Sequence, residues 1–307
     1  MAQFYEIRFK MTCFLTFIKI YRKIIPILCG YYPPLSNFAL QKLKIMKRPL
    51  ILVVNDDGIT APGIKALVEV ATTLGEVLVV APNSPQSGMG HAITIHDPLR
   101  LHKTKTFGEH IESYECSGTP VDCVKLAHHV VTRRDGRTID LCISGINHGS
   151  NASLNIIYSG TMSAAMEASL EGIPAVGFSL SHFSWDADFE PSKYFVRQIC
   201  EFMLENPMEK TKLLNVNIPK LPLSEIKGIK VCRQAKGRWV EAFVEGKDPS
   251  GKPYYWMSGK YDLQDSGEDH DIWALENGYV SVVPSNHDLT HYEGIEEMAA
   301  LELTTVS

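Results

Sequence analysis

The chain has no C-x-x-C pair, although it carries seven cysteines, at positions 13, 29, 116, 123, 142, 200 and 232. An odd number without knuckle spacing, partly inside apolar runs such as Leu141-Cys142-Ile143, argues against a zinc knuckle. It favours reduced, buried thiols and a cytoplasmic location. A long apolar run is also missing. Phe14 to Tyr32 is interrupted by Lys19, Arg22, Lys23 and Pro26, and its longest clean piece, Ile24 to Tyr32, falls far short of the ~20 residues of a membrane span. No small-x-small cleavage site follows cleanly, which disfavours a signal peptide. Basic residues are scarce in the body: residues 1–45 hold seven Lys/Arg and one Glu, whereas from Met46 onward 23 basic residues face 34 acidic ones, a net charge of −11. Phosphate polymers are bound through clustered Lys and Arg, so no nucleic-acid partner is expected. Internal repeats and low-complexity tracts are absent.

What is present is an alternation of short apolar runs and amphipathic stretches. Pro49 to Val54 is apolar without alternation, the pattern of a strand buried on both faces. Pro62 to Leu74 places Ile64, Leu67, Val68, Ala71 and Leu74 on one helical stripe, and Glu76 to Ala81 reads as a second, parallel strand. Ile93 to Leu101 and Ile111 to Cys116 read as a peripheral antiparallel excursion. Further expectations are a helix over Val121 to Val131, a strand over Ile139 to Ser144 and a loop over Gly145 to Asn151. Beyond it come a helix over about Thr161 to Glu171 with Met162, Ala165, Met166 and Leu170 inward, a strand over Ala175 to Leu180, a helix over Lys193 to Leu204 and a strand over Leu213 to Ile218. The pattern predicts an α/β, doubly wound, mostly parallel sheet over 46–218. After Pro219, Arg238 to Gly246 and Pro253 to Gly259 alternate with period two around a turn, which predicts a hairpin arm rich in aromatics within the closing segment 219–307. An isolated hairpin is marginal in water, so it is expected to pack on a neighbouring subunit. Residues 1–45 are expected to be a non-native extension, with translation starting at Met46; a loose anchor or a disordered tail is the alternative.

The most informative string is Asn55-Asp56-Asp57-Gly58, at the carboxyl end of the first strand. Adjacent carboxylates at the ligand edge of a parallel sheet repel unless a hard cation or a shared proton offsets the charge. A solvated capping turn is the plain alternative. Context favours the cation, because the loops Ser84 to His91 and Ser144 to Asn151 leave the same edge. Two carboxylates, a Ser hydroxyl and an Asn carbonyl suit one octahedral Mg²⁺ or Mn²⁺ ion rather than Zn²⁺. Tyr158-Ser159-Gly160-Thr161 opens a helix whose free N–H groups suit an anion, although Ser159 or Thr161 also serves as an ordinary cap. Ser117 to Asp122 reads as a cap. His91 and His148 lie in the candidate loops, each with a structural or a proton-shuttling reading. Lys227, Lys230, Arg233, Lys236 and Arg238 with Trp239 form either a phosphate clamp or a solvated strand face.

These motifs in order, together with Ala81 to His91, Ser117 to Lys125 and the aromatic hairpin, resemble the SurE family of stationary-phase survival nucleotidases over about Met46 to Tyr292. The resemblance implies a Rossmann-like domain with a carboxyl-terminal hairpin exchanged between subunits of a homodimer or homotetramer. It implies a metal-dependent phosphatase acting on nucleoside 5'-monophosphates, with 3'-monophosphates and short polyphosphate as further substrates. Asp56, Asp57, Ser87 and Asn147 match the metal ligands, and Asn147, Ser159, Gly160 and Thr161 match the phosphate contacts. His148 departs from the pattern, where many members carry a basic residue, typically Arg. The proton donor to the leaving nucleoside stays open between His91, a second-shell water and released solvent. Two rivals are a noncatalytic nucleotide-binding protein and a receiver-like phosphoryl acceptor. The second needs an acceptor Asp at a later strand end, where this chain offers Pro82 and Ser144-Gly145.

Overall fold

The computed structural model describes residues 48–134, 136–207 and 209–303, so the extension expected at 1–45, with Cys13 and Cys29, lies outside the described residues. Strand β1 (Leu50–Val54) is buried along its whole length. Ile51 and Val53 enter one apolar cluster while Leu50, Leu52 and Val54 enter the other, which is why the strand shows no polar alternation. Helix α1 (Pro62–Leu74) starts with proline in its first turn and buries Ile64, Leu67, Val68 and Ala71. Strand β2 (Glu76–Pro82) pairs in parallel with β1. Then come β3 (Leu101–Thr104), β4 (Glu112–Cys116) and α2 (Pro120–Leu126), which continues through a π turn, Ala127–Val131, and a last turn, Thr132–Arg134.

Strand β5 (Leu141–His148) pairs in parallel with β1 on the side opposite β2. A 3₁₀ segment, Ser153–Tyr158, leads into α3 (Gly160–Leu170), followed by β6 (Ala175–Leu180), α4 (Glu190–Glu205), β7 (Leu213–Ile218) and β8 (Ile229–Val231). The hairpin strands β9 (Gly237–Lys247) and β10 (Pro253–Leu263), helix α5 (Asp271–Glu276), strand β11 (Val280–Ser285) and helix α6 (Tyr292–Met298) complete the order. The main sheet runs β3-β4-β2-β1-β5-β6-β7-β11-β8, and β9 with β10 form a separate antiparallel pair. Ile64 and Leu67 of α1 and Phe195 and Val196 of α4 cover one face; Cys123 and Val124 of α2 and Met162, Ala165 and Ala168 of α3 cover the other. This is a doubly wound α/β fold in which β1 sits where the strand order reverses, so its carboxyl end opens at the crevice such folds use for ligands.

The structure corrects several expectations. Residues 93–100 are not a strand: Thr94 is held sideways by Asp122, its N–H at 3.1 Å and its hydroxyl at 2.6 Å from the carboxylate, and Pro98 offers no donor. The excursion is β3 against β4, and β4 continues the main sheet in parallel with β2. The expected loop from Gly145 is strand as far as His148, because pairing to β6 resumes at Asn147↔Ser179 after a bulge. Leu170 points to solvent, and Glu167 takes an inward position instead. Strands β8 and β11 and helices α5 and α6 were not foreseen; β11 runs antiparallel to β7 and extends the sheet.

Candidate active site

The side-chain amide of Asn55 donates to the Gly58 carbonyl at 2.8 Å, and Gly58 adopts φ 96°, so the chain turns sharply where β1 ends. That turn presents two adjacent carboxylates in different settings. Asp56 is 3% exposed and accepts the Thr161 hydroxyl on Oδ1. It lies against the first turn of α3: a Cβ on Gly160 would stand 2.7 Å from Asp56 Cβ, so only glycine fits there. Asp57 lies nearer solvent, with its Oδ2 3.1 Å from Nδ1 of His148 and 3.4 Å from the backbone N–H of His148. The His148 ring is fixed by stacking on Trp185 at 5.1 Å and by the edge of Phe189 at 5.2 Å. Burial, and then the Asp57 charge, push the Asp56 carboxyl up to about 6 against the lowering effect of Thr161.

The other expected residues have different engagements. Asn147, at the bulged end of β5, donates its amide to the Gly149 carbonyl at 2.9 Å, which turns its Oδ1 away from that bond. Ser87 is exposed in the loop after β2, one residue beyond a backbone tether from Gln86 N–H to the Asp56 carbonyl at 2.7 Å. Ser159 caps α3 by accepting from Met162 N–H at 3.0 Å. Thr161 spends its hydroxyl on Asp56, and Gly160 provides close approach. His91 is bonded to Glu167 Oε2 at 2.9 Å, while Lys125 holds the other oxygen. The basic cluster is dispersed: Arg233 forks onto Asp265 and Asp269, Lys230 covers the Trp273 ring, and Trp239 donates to Asn155 Oδ1 at 2.9 Å. Ser117 to Asp122 forms a plain capping box.

Sequence reasoning missed the polar frame behind the site. Asn217 Oδ1 accepts from the Asn151 backbone N–H at 2.7 Å, Asn215 donates to the Asn151 carbonyl at 2.9 Å, and Asn151 donates to Ser179 at 2.8 Å. Asp271, fully buried, accepts from Ser153 N–H at 2.7 Å and Ala235 N–H at 3.0 Å, tying the carboxyl-terminal segment to the loop after β5. A signal was available for one part: two asparagines at alternate positions in the apolar run Leu213 to Ile218 mark a strand face that must be hydrogen-bonded.

The donor set fits a hard divalent ion. Two carboxylates one residue apart, the deeper one pushed toward its neutral form, constitute a charge problem that a cation resolves. Asn55 Oδ1 is buried beside them without a hydrogen-bond partner among the described residues, a further oxygen acceptor in the same turn. Among the ring nitrogens, His148 Nδ1 is turned toward Asp57, which leaves an oxygen-rich set rather than a zinc-like one.

The chain as a whole is similar to known proteins. Residues 51–241 match the model of the family described as survival protein SurE. The chain is 56% identical over 257 residues, 84% of its length and 98% of the relative's, to the 5'-nucleotidase SurE of Flavobacterium johnsoniae. It is 58% identical over 248 residues, 81% of its length and 95% of the relative's, to the 5'-nucleotidase SurE of Cytophaga hutchinsonii. The crystal structure of the SurE protein from Aquifex aeolicus superposes with a TM-score of 0.71 at 41% identity, covering 83% of this chain and all of that one. With the family model spanning the carboxylate turn, β5 and the start of α3, and with relatives matched nearly end to end, the chain belongs to the SurE family.

Proposed function

We propose that the protein is a divalent-metal-dependent phosphomonoesterase that hydrolyses nucleoside 5'-monophosphates to nucleoside and phosphate, with 3'-monophosphates and short polyphosphate as further substrates. The observation that carries the reading is the buried Asp56 carboxylate, paired with Asp57 and held against the first turn of α3. Relatives that bear the name 5'-nucleotidase over nearly their whole length support the same substrate class.

In this reading Asp56, Asp57, Ser87 and Asn147 hold one Mg²⁺ or Mn²⁺ ion. When bound, the ion supplies positive charge against the transferring phosphoryl group and acidifies water in its shell. The protein's part is positioning. Thr161 fixes Asp56, His148 fixes Asp57, and the Gly160 and Thr161 N–H groups at the start of α3 favour negative charge nearby. Asn147, Ser159, Gly160 and Thr161 line the phosphate position. Thr161 acts there through its backbone while its hydroxyl stays on Asp56. Ser87 would join the ion from its exposed loop.

The hairpin supports an assembly of two or four copies. Phe243, Tyr255 and Met257 are exposed on one face of it and Val240, Val244 and Trp256 on the other, apolar surfaces that a second copy would bury. Residues 219–307 then supply the arm and closing elements to a catalytic domain over 46–218. No helix among the described residues is long and apolar enough to cross a membrane, and the proposed location is the cytoplasm.

Release of inorganic phosphate from AMP and GMP, measured with Mg²⁺, with Mn²⁺ and with a chelator, tests the reading. Turnover with either ion and none with chelator is expected. Tight nucleotide binding without turnover under every ion would replace it with a noncatalytic role.

A further inference from the structure

A second constellation of ligating side chains lies away from the carboxylate turn. His128 and His129 are consecutive in the π turn that follows α2, and Glu171 is the residue that ends α3. Nε2 of His129 stands 3.0 Å from Glu171 Oε1, and Nε2 of His128 stands 3.6 Å from Oε2. One ligand atom from each of the three side chains lies within 4.8 Å of the others. In a tetrahedral site with ~2.0–2.1 Å bonds, ligand atoms are spaced by ~3.3 Å, so the three need only rotamer-scale shifts to close on an ion. We propose that His128, His129 and Glu171 form a binding site for a zinc-class divalent ion, distinct from the oxygen-lined site at Asp56 and Asp57.

Three observations carry this. The two rings meet edge to face at 4.7 Å and a single carboxylate serves both, so a shared cation satisfies all three groups at once. Nδ1 of His128 is buried without a hydrogen-bond partner among the described residues, so the polar contact of this ring runs through Nε2 to Glu171. The side chains of His128, His129 and Glu171 are 28%, 39% and 25% exposed, which leaves a fourth coordination position to water. A π turn within a helix is frequently found at functional sites.

Ligand chemistry separates this site from the other. Two imidazoles and one carboxylate favour Zn²⁺, Co²⁺ or Ni²⁺ and offer little to Mg²⁺, which demands an oxygen shell. Helix α3 spans eleven residues, ~16 Å at 1.5 Å per residue, so the two sites stand at its opposite ends. An ion at Glu171 would fasten the far end of the helix whose first turn holds Asp56, clipping it to the helical segment after α2.

The test is a Co²⁺ titration of the full chain, with Mg²⁺ in excess to occupy the oxygen site, followed by visible absorption, which is intense for four-coordinate and weak for six-coordinate cobalt. The expected result is one saturable equivalent with the four-coordinate band, displaced by Zn²⁺ and retained in Asp57→Asn. His129→Ala and Glu171→Gln should each weaken it at least tenfold, and His128→Ala serves if either fails to fold. Absence of the band in the wild-type chain, its persistence at equal affinity in the variants, or its loss in Asp57→Asn would overturn the proposal. The readout is metal binding, so it stands or falls independently of nucleotide turnover.

Discussion

Thr161 donates its hydroxyl to Asp56 Oδ1 across 105 residues of sequence, joining the end of β1 to the first turn of α3. This bond sets the direction of a carboxylate that has almost no contact with solvent. Replacing Thr161 by Val keeps the shape and removes the donor. A hydrogen bond to a charged group contributes ~1.5–3 kcal/mol, and its loss in Thr161→Val should appear as a reduced denaturation midpoint at pH 8. Divalent-ion affinity should fall by about tenfold or more, because the same carboxylate is left free to rotate. An unchanged affinity, read by calorimetric titration with Mn²⁺, would show that the bond does not orient a ligand.

The protonation of Asp56 gives a pH dependence with a definite sign. Its carboxyl is pushed from the ordinary 3.8 up to about 6 by burial and by Asp57, so the folded state holds the proton more tightly than the unfolded chain. Such a group favours folding below about pH 4 and withdraws that contribution as pH rises through about 6, an effect of order 3 kcal/mol. In chelator, the wild-type chain should therefore lose more stability between pH 4 and 6 than Asp56→Asn does. Divalent-ion binding should strengthen over the same interval as the competing proton leaves. Parallel urea curves for the two proteins across that range would contradict the assignment.

Gly160 is a position where one methyl group should be decisive. A Cβ there would meet Asp56 Cβ at 2.7 Å and its Oδ2 at 3.0 Å. Overpacking of this kind costs ~1–3 kcal/mol, which an intact core of this size tolerates. Gly160→Ala is thus expected to fold, with circular dichroism like the wild type, and to lose ~10²-fold or more in nucleotidase turnover because Asp56 is displaced. Wild-type turnover in the folded variant would remove Asp56 from the catalytic group.

The hairpin makes a prediction about assembly. Trp256 and Met257 are 69% and 74% exposed in the single chain, on a strand whose partner also displays Phe243 and Val244. The paired replacement Trp256→Asp with Met257→Asp should shift the protein to smaller species in light scattering while the far-ultraviolet spectrum stays that of the wild type. A monomeric wild-type protein would assign the exposed apolar strip to some other partner.

Much of this molecule was legible in its residues. Strand β1, helix α1 and strands β6 and β7 fall where their apolar runs and flanking Pro or Gly place them, because burial on both faces and a wide helical stripe each leave a plain pattern. The bulged end of β5 was not legible: Gly145, Asn147 and Gly149 are turn residues by composition, yet pairing with β6 overrides that local preference as far as His148. Glu167 escaped notice because a charge in an amphipathic helix reads as solvent-facing, whereas here His91 and Lys125 satisfy it inside and keep its carboxyl below the usual range. The carboxylate turn stood out through its context, because Asp56-Asp57 ends the first strand and the loops Ser84 to His91 and Ser144 to Asn151 leave the same edge; the acidic pair alone reads equally as a capping turn. That Thr161 and His148 each hold one of the two acids depends on the crossing of α3 and β5, which no local string encodes.

Anomalous diffraction from a crystal soaked in Mn²⁺ examines the heart of this view without passing through kinetics. One manganese peak is predicted at the end of β1, within about 2.1–2.3 Å of carboxylate oxygens of Asp56 and Asp57 and of Asn147 Oδ1, with Ser87 drawn toward it. No peak at that turn, or a peak whose ligands exclude Asp56 and Asp57, would contradict it.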